Sequence, residues 1–104
     1  MILLRDYKKR IIRFTVERIK HLEDSHPEMR DQIIRINETL ESPDCIIKSK
    51  TDFSVEMFYK YYESTPVKEK YLCVVVKFKD DDNFIITSYF TDTIKKGVQL
   101  WKKK

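Results

Sequence analysis

The stretch YLCVVVKFKDDDNFIITSYFT, Tyr71–Thr91, decides the fold. Its first half, Tyr71–Lys79, starts as a continuous apolar run and becomes alternating, the pattern of a central strand buried on both faces. Asp80–Asn83 is an acidic turn, and Phe84–Thr91 is the partner strand of a hairpin. On strict alternation Phe84, Ile86, Ser88 and Phe90 face one way, and Ile85, Thr87, Tyr89 and Thr91 the other. Upstream, Val55–Glu63 is dense in aromatic and β-branched residues. There Val55, Met57, Tyr59 and Tyr61 share one face and Phe58, Lys60 and Tyr62 the other, until Thr65 and Pro66 break the strand. Cys45–Ile47 is a short apolar strand. Downstream, Asp92–Trp101 carries Ile94, Val98, Leu100 and Trp101 around Gly97 and is expected to pack back onto the sheet.

The N-terminal half reads differently. Lys8–Phe14 is expected as a first strand. Thr15 is a plausible N-cap, though Arg18 stands where a capping box would have glutamate. Val16, Ile19 and Leu22 then recur at helical spacing, with His26 on the side of Ile19 and Leu22 and His21 pointing elsewhere. Pro27 ends that helix at His26, and it suits the first turn of a second one, with Glu28 at the positive end. Met29, Ile33, Ile36 and Leu40 form the apolar stripe of the second helix, and Ile34 widens it. Helices followed by a run of strands imply an α+β fold, with N-terminal helices packed on one face of an antiparallel sheet and the polar face open. No repeat, linker or composition shift divides the chain, so residues 1–104 are expected to form one domain.

Composition removes several functions. Gly97 is the only glycine, so no glycine-rich phosphate loop, dinucleotide fingerprint or nucleophile elbow can be written. Cys45 and Cys73 make no disulfide framework, and with His21 and His26 they match no zinc spacing, so neither metal nor cofactor is expected. Cys73 reads as a small buried hydrophobe. No apolar run is long enough for a membrane span and Met1–Leu4 is no signal peptide, which leads to the expectation of a cytoplasmic protein. The formal charge of +4 is unevenly placed. Met1–Arg13 and Asp92–Lys104 each hold five basic residues and one acidic, around an acidic middle. If the ends meet in space they form a basic surface suited to a polyanion such as RNA.

The polar sheet face offers Thr87, Tyr89 and Thr91, tyrosines from the Tyr59, Tyr61 and Tyr62 cluster, Lys70, and Lys95 and Lys96 just beyond. Rings stack on unpaired bases and lysines hold the backbone. RNA cleavage without a metal needs a base for the 2′-hydroxyl proton, an acid for the leaving 5′-oxygen and cations at the phosphate. Histidine, tyrosine and lysine supply all three, and imidazole titrates near neutrality. Each residue also has an ordinary explanation. Tyrosine and threonine pack well on a half-buried pleat, a lysine opening a strand is usually just solvated, and a histidine before proline is often structural.

The words HLEDSHPEM (His21–Met29), TLESPDCII (Thr39–Ile47), MFYKYY (Met57–Tyr62), KYLCVVVKF (Lys70–Phe78), FIITSYFT (Phe84–Thr91) and IKKGVQLW (Ile94–Trp101) occur in an order that resembles the small barnase–EndoU–colicin–RelE-like nuclease domains of phages and microbes. The resemblance implies two helices against a curved antiparallel sheet, RelE- or barnase-like. It implies metal-independent cleavage of RNA through 2′-hydroxyl attack, in some members by toxins with a cognate acidic antitoxin or acting on ribosome-bound RNA. It maps His26, Lys70, Thr87, Tyr89 and Thr91 onto catalytic positions. Arg13, Tyr59, Lys60, Tyr61, Lys95 and Lys96 are expected to bind the RNA. Val55–Thr91 contains no arginine, so a lysine would hold the phosphate as a point charge. That departure keeps open a non-catalytic module that binds RNA or protein on the same fold, and a third possibility of an assembly protein associating through exposed aromatics. Oligomeric state is not legible.

Overall fold

A computed structural model describes residues Met1–Lys104. Its strands are β1 (Ile2–Arg5), β2 (Ile11–Phe14), β3 (Cys45–Lys48), β4 (Val55–Tyr62), β5 (Lys70–Lys79), β6 (Asp82–Thr91) and β7 (Val98–Lys102). Between β2 and β3 lie α1 (Val16–Ser25), a 3-10 turn (Pro27–Met29) and α2 (Ile33–Glu41). All seven strands form one sheet in the order β1-β2-β6-β5-β4-β3-β7. Every pairing is antiparallel except β2 with β6, which run parallel and share only the Arg13–Phe84 register. The fold is α+β, as the order of patterns implies.

β5 is the centre, and its Leu72–Val76 run is buried on both faces except for half-buried Val75. Toward the helices, Leu72, Val74 and Val76 join Phe58, Ile46 and Ile85 beneath Leu22, Met29, Ile36 and Leu40. α2 packs on β4 and β5, and α1 on β6. The opposite face was expected to be open. Instead it carries a second core of Cys45, Ile47, Met57, Tyr59 and Cys73, flanked by Tyr71, Val75, Tyr89 and Ile94. The β6–β7 connection folds over this core: Ile94 packs against it, and the Lys95 amide donates to the Tyr59 hydroxyl at 3.1 Å.

Three expectations need correction. The first strand is two. β1 and β2 form a hairpin around Asp6, whose buried carboxylate accepts from the amides of Lys8 and Arg10 and from the Arg10 guanidinium. A turn satisfied by side-chain acceptors carries no apolar periodicity, which is why β1 did not register. The second helix does not start at Pro27. The Pro27–Met29 turn is followed by Arg30 in extended backbone and Asp31 at φ 64°, and the helix begins at Ile33. That break turns Ile34 outward, 71% exposed, while Met29 still reaches the core from the 3-10 turn. Third, β6 does not alternate strictly. Thr87 pairs with Val75 but Ile85 pairs with Val76, so Ile86 is a bulge residue. Ile85 therefore joins the helix-side core, and Phe84 shares the face of Thr87, Tyr89 and Thr91.

The chain ends meet although β1 and β7 are opposite edges of the ladder. The β1–β2 turn reaches across the helix side. Arg10 lies 3.9 Å from the Phe78 ring centroid and 3.2 Å from Glu56, and the Tyr7 ring is 6.3 Å from Phe58 and 5.6 Å from Trp101.

Gly97 sits where β7 joins β3. A Cβ there would fall 2.7 Å from Ile47 Cγ2 and closer still to the Lys48 carbonyl oxygen. Gly97→Ala is expected to lower stability by about 1–3 kcal/mol, the usual cost of overpacking, read as an earlier midpoint in urea unfolding. Burial pushes the Cys73 thiol up to about 11. The folded state therefore holds that proton after the unfolded chain has released it at a pKa of ~8.5. Cys73 contributes its full share below that value, and the share is lost as pH rises through the folded pKa. Urea midpoints should fall between about pH 8.5 and about pH 11, and the fall should be shallower in Cys73→Ser, whose hydroxyl does not titrate.

Candidate nucleic-acid interface

β2 leaves β6 after one paired residue, so the edge of the second half of β6 has no strand beside it. α1 and the 3-10 turn fill that place. Thr15 caps α1, its Oγ1 accepting from the Arg18 amide at 3.1 Å, and the helix ends where the His26 amide donates to the Leu22 carbonyl at 2.7 Å. Pro27 opens the 3-10 turn that follows. The imidazole of His26 is thereby set against β6, and its ring stacks on Tyr89 with centroids 5.9 Å apart and planes inclined by 30°. About a third of the His26 side chain is exposed, 35%, and its Nδ1 lies 3.3 Å from the Glu28 carboxylate. That partner leaves Nε2 as the nitrogen able to act on a ligand. Glu28, read from sequence only as a helix-dipole residue, is the side chain that sequence reasoning missed. The signal was the two-residue spacing across proline in His26-Pro27-Glu28, which a 3-10 turn folds back on itself.

From Tyr89 a single row of side chains crosses the sheet on the face away from the helices. Its members are Tyr89 on β6, Cys73 on β5, Tyr59 on β4, Cys45 on β3 and Lys102 on β7, each paired with the next. Burial pushes the Tyr89 and Tyr59 phenols upward, and in both the neighbouring Cys73 adds to the shift. These phenols stay protonated at neutral pH. The Tyr89 phenol sits beside the buried Cys73, so it is the ring, against His26, that faces the outside.

The other expected residues divide between the two faces. Thr87 is half-exposed on the Tyr89 face. Thr91 shares that face, but its hydroxyl closes the turn after β6, donating to the Thr93 carbonyl and accepting from the Thr93 amide. Tyr61 is exposed on the same face and meets Tyr71 edge to face at 5.3 Å, forming an aromatic ledge beside Thr91. Lys95 and Lys96 are exposed on the connection over the second core. Arg13 lies over the Phe84 ring at 5.7 Å, at the far end of β6, in a bidentate pair with Asp82 at 2.7 and 3.0 Å.

Lys70 and Lys60 lie on the helix side. Lys70 alternates with Tyr71 and shares the face of Leu72, and its ammonium pairs with Asp92 at 2.5 Å. Lys60 alternates with Tyr59, and its ammonium donates to the Ser42 carbonyl at the end of α2 at 2.8 Å. Tyr59 is fully buried and its hydroxyl accepts the Lys95 amide, so its ring cannot stack on a base. The period of two in a strand separates neighbours that a sequence string groups together. His21 is exposed on α1, away from this corner. No group of three or more histidine, cysteine, aspartate or glutamate side chains converges anywhere in the fold. No helix is long and apolar enough to cross a membrane.

No curated protein and no solved structure matched the chain. A protein-family model does, one described as phage-Barnase-EndoU-ColicinE5/D-RelE like nuclease2, and the match runs over residues 2–104. It covers the His26 turn, the Tyr89 strand and the lysine-bearing connection alike, and so the chain belongs to this phage barnase–EndoU–colicin–RelE-like nuclease family.

Proposed function

We propose that this family member is an endoribonuclease that works without a metal, on a RelE- or barnase-like fold, by attack of the 2′-hydroxyl on the adjacent phosphorus. The observation that carries the reading is the stack of His26 on Tyr89 at 5.9 Å, with the imidazole partly open and its Nδ1 against Glu28. His26 Nε2 takes the 2′-hydroxyl proton, the new O2′–P bond forms as the P–O5′ bond breaks, and the departing oxygen is protonated from water in this open corner. The products are a 2′,3′-cyclic phosphate and a 5′-hydroxyl. Tyr89 is a platform that holds the imidazole plane. Its phenol is beside Cys73 and kept protonated by burial, so the hydroxyl does not serve as the base. Lys95 and Lys96 supply positive charge for the phosphate, and Tyr61 supplies an exposed ring for a flanking base. Thr87 orients the phosphate from the same face. A toxin role and an acidic antitoxin belong to the same reading, and growth arrest on expression is their test.

A second reading has its own observation. Arg13 shares the face of Tyr89 but stands at the far end of β6 and is committed to Asp82, so it does not offer its fork to a phosphate at His26. A non-catalytic module that binds RNA on this fold would look the same.

Purified protein with excess chelator and a single-stranded RNA separates the two. Cleavage should persist in chelator, and products should carry cyclic phosphate ends. Loss of cleavage on chelation overturns metal independence, and binding without new RNA ends supports the module. His26→Ala, with its urea midpoint unchanged, should lower cleavage by at least ~100-fold. Tyr89→Phe should keep most activity, while Tyr89→Leu should cost about tenfold, the worth of one aromatic contact. A Tyr89→Phe variant as inactive as His26→Ala would return the phenol to the chemistry.

A further inference from the structure

The β1–β2 turn and the C-terminal strand build a feature apart from the His26 corner. Two adjoining concavities share Tyr7 and Glu41. One, of about 250 Å³, is lined by Tyr7, Glu41, Ser42, Pro43, Trp101 and Lys103. The other, of about 340 Å³, adds Arg5, Asp6 and Lys9. Asp6 is already spent on its own turn and on Arg10. Arg5, Lys9 and Lys103 are exposed and stand in no ion pair, so the rim is cationic. Trp101 is half-buried, with one side against Tyr7 and its indole in the wall of the first concavity. Here the two basic ends of the chain come together.

We infer that this groove is a docking subsite for single-stranded nucleic acid, in which one base packs on Trp101 between Tyr7 and Pro43 and the adjoining phosphates lie on Arg5, Lys9 and Lys103. A planar base suits an indole face, and ammonium and guanidinium groups suit the backbone on either side. Glu41 is exposed and shared by both concavities, so one carboxylate stands among three cations and the charge there remains positive. The groove lies at the Lys102 edge of the sheet. Crossing from Tyr89 on β6 to β7 takes four strand spacings, or about 19 Å, and Trp101 packs on the helix side of the sheet, the face opposite Tyr89, so a strand held here reaches the bond at His26 only by passing round an edge of the sheet. The inference takes its polymer from the proposed function but does not depend on His26.

Trp101 is the only tryptophan, so its emission reports the groove directly. The test titrates the protein with a 2′-O-methyl RNA hexamer, which cannot undergo 2′-hydroxyl attack, while anisotropy of a labelled hexamer follows total binding. Saturable quenching of Trp101 is expected. The Lys9→Glu, Lys103→Glu double variant, altered only at exposed positions, should weaken the hexamer by at least about tenfold and reduce the salt slope by about 2, one for each phosphate contact. His26→Ala should quench like the wild type. Binding by anisotropy with unchanged Trp101 emission, or equal binding by the double variant, overturns the subsite and leaves the nuclease reading standing. An absence of any hexamer binding overturns it as well, and an acidic polypeptide that quenches in the hexamer's place would redefine the groove as a protein site. Quenching by a protein that never cleaves unmodified RNA upholds the subsite and removes the nuclease reading.

Discussion

A strand that is apolar on both faces must be covered on both faces. β5 places Leu72, Val74 and Val76 on one side and Cys73 and Val75 on the other, and exposure of either set would forfeit about 25 cal/mol for each Å² left in water. Two short helices serve the first side. Nothing helical is left for the second, so the connection from β6 to β7 serves it, with Ile94 as the apolar contact and the Lys95 amide tied to Tyr59. The demand that closes the core thus also delivers Lys95 and Lys96 to the face where Tyr89 stands.

The parting of β2 from β6 has the same character. A full parallel pairing would have placed a strand along the whole edge of β6. With only Arg13 and Phe84 in register, the chain turns into α1, and the end of that helix occupies the vacated edge. His26 reaches Tyr89 because it caps the helix and precedes a proline, which together stop the chain at that point. Glu28 returns to the imidazole through the 3-10 turn that the proline starts. The chemistry of the corner is therefore assembled from the termination signals of a helix and the edge of a sheet.

The charge pattern finds its meaning only in three dimensions. Basic segments at the two ends of the chain, separated by an acidic middle, are joined because the Asp6–Arg10 turn crosses the helix-side core and brings Tyr7 to Trp101. Carboxylates meanwhile absorb two of the cations that looked available, Lys70 and Arg13, and a third at Lys77. Lys70 pairs with Asp92, Lys77 with Asp52 and Arg13 with Asp82. Lysines without such partners include Lys95 and Lys96 on the connection and those of the termini.

Much of the architecture was legible because it rests on local pattern. The continuous run in β5, the acidic turn after it, the Thr15 cap and the stop at His26-Pro27 are each dictated by neighbours in sequence, and so was the order of helices before strands. The likeness of six short words to one nuclease family was legible for the same reason. What local pattern could not carry was decided by packing across the fold. The bulge at Ile86 inverted the expected face of Ile85 and Phe84, the period of two put Lys60 and Lys70 behind the sheet, and the second core took Tyr59 out of reach. Whether a side chain is a ligand or a brick depends on which face is already covered, and that is settled by contacts between residues dozens of positions apart, to which periodicity within one segment is blind.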